Sequence, residues 1–181
     1  MNKNVVILLG SSRKNGNTEL LTNEFMRGAT ESGNHVDKIV LRELNIDDCI
    51  GCGACQKNGG HCFRKDDMQQ IYNAMLQADV IVFASPVYFY SWTALMKTVI
   101  DRTFAIEKSL MHKKFYLIST GAAPEEKYMQ TMLDCYHQYI GCFRGAGNED
   151  GGYVIGYGTN MSGDVAGSPV VNQAYELGLN V

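Results

Sequence analysis

Charge of a single sign is scarce in this chain. Its 16 Lys and Arg stand against 19 Asp and Glu for a net charge of −3, and neither sign gathers into a long run. Nucleic acids and anionic membrane surfaces are gripped by clustered cations, so neither is an expected partner. Long hydrophobic runs are missing too. The N-terminal MNKNVVILLGSS holds one Lys and the short apolar stretch VVILLG at 5–10. That is less than a secretory core and far less than the roughly 20 apolar residues of a membrane span. The expectation is a cytoplasmic protein. No repeat, low-complexity tract or linker interrupts the 181 residues, a length that suits one domain over 1–181 and is short for two.

What the chain does have is alternation. VVILLG (5–10), VDKIVL (36–41), VIVFASP (80–86) and KFYLIST (114–120) are apolar runs of strand length. Between them Leu21, Phe25 and Ala29 recur at intervals of four within 18–33, and Met68, Ile71, Met75 and Ala78 share one face of 65–78. Further helices are predicted over 92–104 and over 125–140, the latter with Met129, Met132, Leu133, Tyr136 and Ile140 inward. A fifth strand is placed within 142–157 and a short helix near 169–178. Alternating strands and helices predict an α/β protein, a parallel sheet with helices on both faces.

Ligands of open α/β sheets bind beyond the carboxyl ends of the strands, which singles out three loops. The first, GSSRKNGNT (10–18), carries hydroxyls at Ser11, Ser12 and Thr18, amides at Asn15 and Asn17 and the guanidinium of Arg13. It ends on a helix N-terminus, where free N–H groups favour an anion. It is no P-loop, because Gly10 and Gly16 are one residue too far apart and Asn17 stands where Lys is needed. The dinucleotide pattern GxGxxG and a phosphatase cysteine are absent as well. A terminal phosphomonoester such as that of FMN fits; the plainer alternative is a polar turn with Thr18 as N-cap. In the second loop, SPVYFYSW (85–92), Tyr88, Phe89, Tyr90 and Trp92 either border a flat ring or belong to the core. In the third, Thr120-Gly121-Ala122 is small enough to let backbone approach a ligand.

The cysteines cluster. Cys49-x2-Cys52-x2-Cys55-x6-Cys62 puts four of the six in one loop with glycines at 51, 53, 59 and 60. Successive intervals of three resemble the ferredoxin run that holds an iron–sulfur cluster, whereas structural zinc usually takes separated knuckles. A [4Fe–4S] cluster, zinc, free thiols and a redox disulfide all stay open at this point. Cys135 and Cys142 are expected to be small buried hydrophobes. His35, His61, His112 and His137 are scattered and suggest no metal site.

Taken in order, GSSRKNGNT, CIGCGAC, SPVYFYSWTALMKTVIDR and STG resemble the flavodoxin-like NADPH-dependent FMN reductase family, within it the iron–sulfur flavoprotein branch, over about residues 4–125. The resemblance implies a flavodoxin-like doubly wound five-stranded parallel sheet, with the cysteine loop 49–62 inserted after the second strand. It implies non-covalent FMN, with Ser11, Arg13, Asn15, Asn17 and Thr18 at the phosphate, Pro86, Val87, Tyr88 and Phe89 beside the ring, and Thr120 and Gly121 in the third flavin loop. It adds a [4Fe–4S] cluster on Cys49, Cys52, Cys55 and Cys62, and a homodimer or larger homo-oligomer. The activity implied is FMN-dependent oxidoreduction, with electrons from NAD(P)H or a ferredoxin-type donor passing to a small-molecule acceptor such as a quinone. No residue matches a catalytic acid or base, as expected where a cofactor carries the chemistry. The rival readings are a flavodoxin-type electron carrier, for which −3 is weakly acidic, and a zinc-binding interaction module.

Overall fold

Apolar, β-branched runs become strands here because both of their faces find something to pack against. The computed structural model describes residues 2–143 and 145–181. β1 (Asn4–Leu9), β2 (His35–Val40), β3 (Val80–Pro86), β4 (Lys114–Thr120) and β5 (Glu149–Gly156) pair in parallel in the order β2-β1-β3-β4-β5. This is the flavodoxin-like doubly wound order. Alternation along each strand feeds two cores. Val6, Leu8, Ile81, Phe83, Phe115 and Leu117 face one, while Val5, Ile7, Leu9, Val80, Val82 and Ile118 face the other.

The first core is closed by α3 (Met68–Gln77), α4 (Ala94–Arg102) and α5 (Gln130–Gly141), with Ile71, Met75, Met96, Val99, Met132 and Tyr136 inward. The second is closed by α1 (Asn17–Glu31) and α6 (Pro169–Leu179). The predicted stripes Leu21, Phe25, Ala29 and Met68, Ile71, Met75, Ala78 are all buried. Three helix starts moved by two residues or more, that of 92–104 to Ala94 behind its N-cap Thr93. The helix expected from 65 starts at Met68, whose N–H donates to the Asp66 carboxylate at 3.2 Å. The helix expected from 125 opens as a 3-10 turn over Glu126–Met129, and Ile140 at its far end is only partly buried. A one-turn helix, α2 (Ala54–Lys57), lies inside the cysteine loop. No helix among the described residues is long and apolar enough to cross a membrane.

In the second core α1 and α6 approach closely. A Cβ on Gly28 would collide with the Tyr175 carbonyl, and one on Gly178 with the Phe25 carbonyl. Helix propensity alone would make Gly28→Ala stabilising by about 1 kcal/mol. The collision reverses the sign: overpacking of this kind costs about 1–3 kcal/mol. A lower denaturant midpoint with an unchanged slope is the expected result, and a higher midpoint would mean that the helices part without cost.

Candidate functional site

Register brings the loops together. Leu9 pairs beside Ala84, Pro86 beside Thr120 and Thr120 beside Gly156, so the chain leaves β1, β3, β4 and β5 along one edge. A cavity of about 210 Å³ opens there. Ser11, Arg13, Asn17 and Thr18 line it from the first loop, Pro86, Val87 and Tyr88 from the second, and Thr120 and Gly121 from the third. Asn15 and Phe89 are not among the lining residues.

Thr18 is not an N-cap. Gly16 holds that position with no side-chain cap, and the buried Thr18 hydroxyl instead lies 2.7 Å from that of Thr120. One hydroxyl of such a pair donates to the other, which leaves a second O–H hydrogen for an acceptor in the cavity. The first-turn N–H groups of α1 have no intrahelical partners and add donors at the same place. Asn15 closes the turn from outside, with φ of +53° and its N–H donating to Glu19 Oε2 at 3.0 Å. Glu19 is in turn flanked by Arg42 at 3.4 Å and Lys38 at 3.7 Å.

A fourth loop, after β5, completes the wall with Thr159 and Asn160. Arg13 Nη1 donates to the Asn160 carbonyl at 2.6 Å. Asn17 donates from Nδ2 to the Met161 carbonyl at 2.8 Å and accepts at Oδ1 from Gly163 N–H at 2.9 Å. Thr159 Oγ1 lies 3.2 Å from the carbonyls of both Gly121 and Gly156. Sequence reasoning missed this loop, whose small polar composition resembles that of the first and was the only signal available.

The four aromatics of the second loop divide. Trp92 belongs to the core, edge-on to Phe83 at 5.8 Å. Tyr88 and Ser91 exchange backbone hydrogen bonds across a two-residue turn, and Phe89 and Tyr90 at its tip have φ of +48° and +67°. Such turns normally carry Asn or Gly, and a left-handed conformation costs an ordinary residue about 1–2 kcal/mol. Phe89 is 100% exposed. Gly121 has a packing reason as well: a Cβ there would come 2.8 Å from Met129 Sδ.

A second pocket lies at the far end of α4. All four clustered cysteines line it, with Phe63, Phe104 and Ala105 supplying an apolar wall and Arg64 and Arg102 beside them. Burial pushes the Cys55 thiol above its ordinary value, and Cys62 and Cys49 push the same way. Cys135 and Cys142 stand apart and correct an expectation. Cys135 is only partly buried, at the margin of the first core, and Cys142, just beyond the end of α5, is exposed.

Residues 3–133 match the family described as NADPH-dependent FMN reductase. The chain belongs to that family. It is 31% identical over 181 residues to an iron-sulfur flavoprotein of Archaeoglobus fulgidus, covering 96% of this chain and 76% of that one. To an iron-sulfur flavoprotein of Methanocaldococcus jannaschii it is 38% identical over 121 residues, covering 66% of this chain and 62% of that one. A solved NAD(P)H:quinone oxidoreductase from Methanothermobacter marburgensis shares the fold, with a TM-score of 0.75 at 16% identity over 99% of this chain and 96% of that one. The chain is an FMN-dependent oxidoreductase of the iron–sulfur flavoprotein branch.

Do the residues of the cysteine pocket fit a cluster? Among the described residues, no three His, Cys, Asp or Glu side chains are grouped so as to hold a single metal ion. Zinc would need its thiolates closed on one atom at about 2.3 Å, whereas in a [4Fe–4S] cube each thiolate takes its own iron. Arg64 Nε and Arg102 Nε are buried with no acceptor, so two pocket residues hold donors that an anionic centre would satisfy. The donor set and its surroundings fit an iron–sulfur cluster.

Beneath the cysteine pocket, Arg102 is 2% exposed and grips Asp66 with two bonds of 2.7 and 3.1 Å. Burial opposes ionisation of Asp66. The bonds from Arg102, with N–H groups of Asp47 and Met68, outweigh it and hold the carboxyl below the ordinary carboxylate range. A depressed native pKa contributes stability above the unfolded value of about 3.9 and loses it as pH falls through the native one. Asp66→Asn should therefore lower stability at pH 7 by about 3–5 kcal/mol, since it leaves a buried guanidinium uncompensated. It should also flatten the acid limb of stability against pH. An unchanged acid limb would assign that limb to other carboxylates.

Proposed function

We propose that this FMN-dependent oxidoreductase holds FMN in the cavity at the carboxyl edge of its sheet and a [4Fe–4S] cluster in the cysteine pocket. The reading extends to its partners. Electrons arrive from NAD(P)H or a ferredoxin-type donor and leave to a small-molecule acceptor such as a quinone. The chain works in the cytoplasm as one FMN-binding domain over 1–181, in a homodimer or larger homo-oligomer. The observation that carries the proposal is the gathering of Cys49, Cys52, Cys55 and Cys62 around one apolar pocket beside two unspent guanidinium donors.

When bound, FMN supplies reversible two-electron chemistry and the cluster single-electron transfer. The protein's part is binding and orientation. Ser11, the Thr18–Thr120 hydroxyl pair and the first turn of α1 offer hydrogen-bond donors to a phosphomonoester, and Arg13 keeps guanidinium N–H groups to spare beyond the one given to Asn160. Pro86, Val87 and Tyr88 border the space left for the ring, and the Thr159 loop excludes water from the other side. The fully exposed Phe89, held at a strained turn, supports self-association at that edge.

Purification without oxygen, followed by flavin and iron assays, tests the proposal. The expected content is about one FMN, four iron and four sulfide per chain, with flavin bands over broad cluster absorption. Flavin without iron would leave an ordinary FMN reductase, and one zinc per chain would support the interaction-module rival.

A further inference from the structure

We propose that Arg64 and Arg102 are positioning residues of the cysteine pocket, whose Nε–H groups donate to the sulfur of the centre held there and thereby raise its reduction potential. The inference rests on the cluster reading given above.

Four thiolates around an iron–sulfur core leave it net anionic, and more so by one charge when reduced. An anion in a pocket walled by Ile50, Phe63, Phe104 and Ala105 needs donors or cations, because apolar surroundings solvate it poorly. Both arginines are held by protein acceptors at their terminal nitrogens. Arg102 gives Nη1 to the Asp47 carbonyl at 2.6 Å and to Asp66 at 2.7 Å, and Nη2 to Asp66 at 3.1 Å. Arg64 gives Nη1 to the Asp47 carboxylate at 2.7 Å, with Nη2 3.6 Å from Asp48. In each guanidinium the Nε–H is buried and has no acceptor. A buried donor left unpaired costs about 1–3 kcal/mol. Among the described residues these two, both on the lining of one pocket, are the only buried side-chain nitrogen or oxygen atoms without a partner.

Charge alone does not explain the pair, because Asp66 and Asp47 offset both guanidinium charges nearby. What remains is directional, an N–H aimed by a carboxylate that clamps the opposite end of the fork. Hydrogen bonds to cluster sulfurs raise the potential, since they favour the more negative, reduced form.

The test uses the reconstituted full chain and variants Arg64→Lys, Arg64→Met and Arg102→Lys, titrated under argon with iron, FMN and secondary structure measured alongside. Lysine keeps the charge and removes the Nε–H. The expected result is iron and FMN near wild type, with both Arg64 variants shifting the reduction equilibrium by about tenfold toward the oxidised form, 59 mV for one electron. Arg102→Lys should do the same, and if losing its grip on Asp66 prevents folding, the Arg64 pair carries the test. A potential unchanged in Arg64→Lys but lowered in Arg64→Met would replace the hydrogen bond by simple charge and overturn the proposal, as would no shift in either. Wild-type protein that takes up no iron removes the cluster reading and the inference with it. Wild-type protein that takes up iron, with Arg64 variants that show no shift, removes the inference alone.

Discussion

Serine in place of Cys62 is expected to cut the iron held after anaerobic reconstitution to roughly a tenth or less, because a serine hydroxyl does not replace a thiolate in the four-cysteine ligand set of such a cluster. FMN content should not change. None of the four clustered cysteines lines the flavin cavity, and none of the phosphate-loop residues lines the cysteine pocket. Serine at Cys49 or Cys52 should act on iron alone, since both thiols are exposed. Cys55 and Cys62 pack partly against the first core, so their variants should lose some stability too. Fast electron uptake from a one-electron donor should disappear with the iron. Four serine variants that keep both iron and activity would make the loop a thiol switch on a plain flavin reductase.

The second large effect is on the flavin. Arg13→Ala combined with Thr18→Ala should weaken FMN by about 2–5 kcal/mol, since hydrogen bonds to a charged group are worth about 1.5–3 each. That is a factor of roughly 30 to several thousand in Kd. Riboflavin, which has no phosphate, should bind variant and wild type nearly alike. The comparison matters because both residues also hold protein: Arg13 fixes the Asn160 carbonyl, and Thr18 pairs with Thr120. If the fourth loop simply came loose, FMN and riboflavin would weaken together.

The fold could be read from the sequence because a strand buried on both faces writes itself as an unbroken apolar run. β3 and β4 coincide with VIVFASP and KFYLIST. Pro86 and Thr120, which line the cavity, could be placed for the same reason, since each closes such a run. The loop around Asn160 was not. It joins the site through main-chain carbonyls at Asn160 and Met161, and a carbonyl has no letter in the sequence. Nor could composition divide four neighbouring aromatics into a buried Trp92 and an exposed Phe89, because the turn between Tyr88 and Ser91 decides which way each one points. The role of Arg102 was not legible at all, because its partner Asp66 lies 36 residues away, beyond the reach of any local pattern.

α4 has one more property. Thr93, its N-cap, gives its hydroxyl to the Gly10 carbonyl at 2.7 Å, at the root of the phosphate loop, and Arg102 ends the same helix in the cysteine pocket. The two anchors are separated by about 13.5 Å of rise at 1.5 Å per residue. A single residue inserted between them would rotate one anchor by about 100° against the other and lengthen the rod by only that small step. Either the threonine or the arginine would then face the wrong way. The two proposed cofactor sites are thus held in phase by a rigid shaft, and their spacing can be changed only by whole turns, about 5.4 Å at a time.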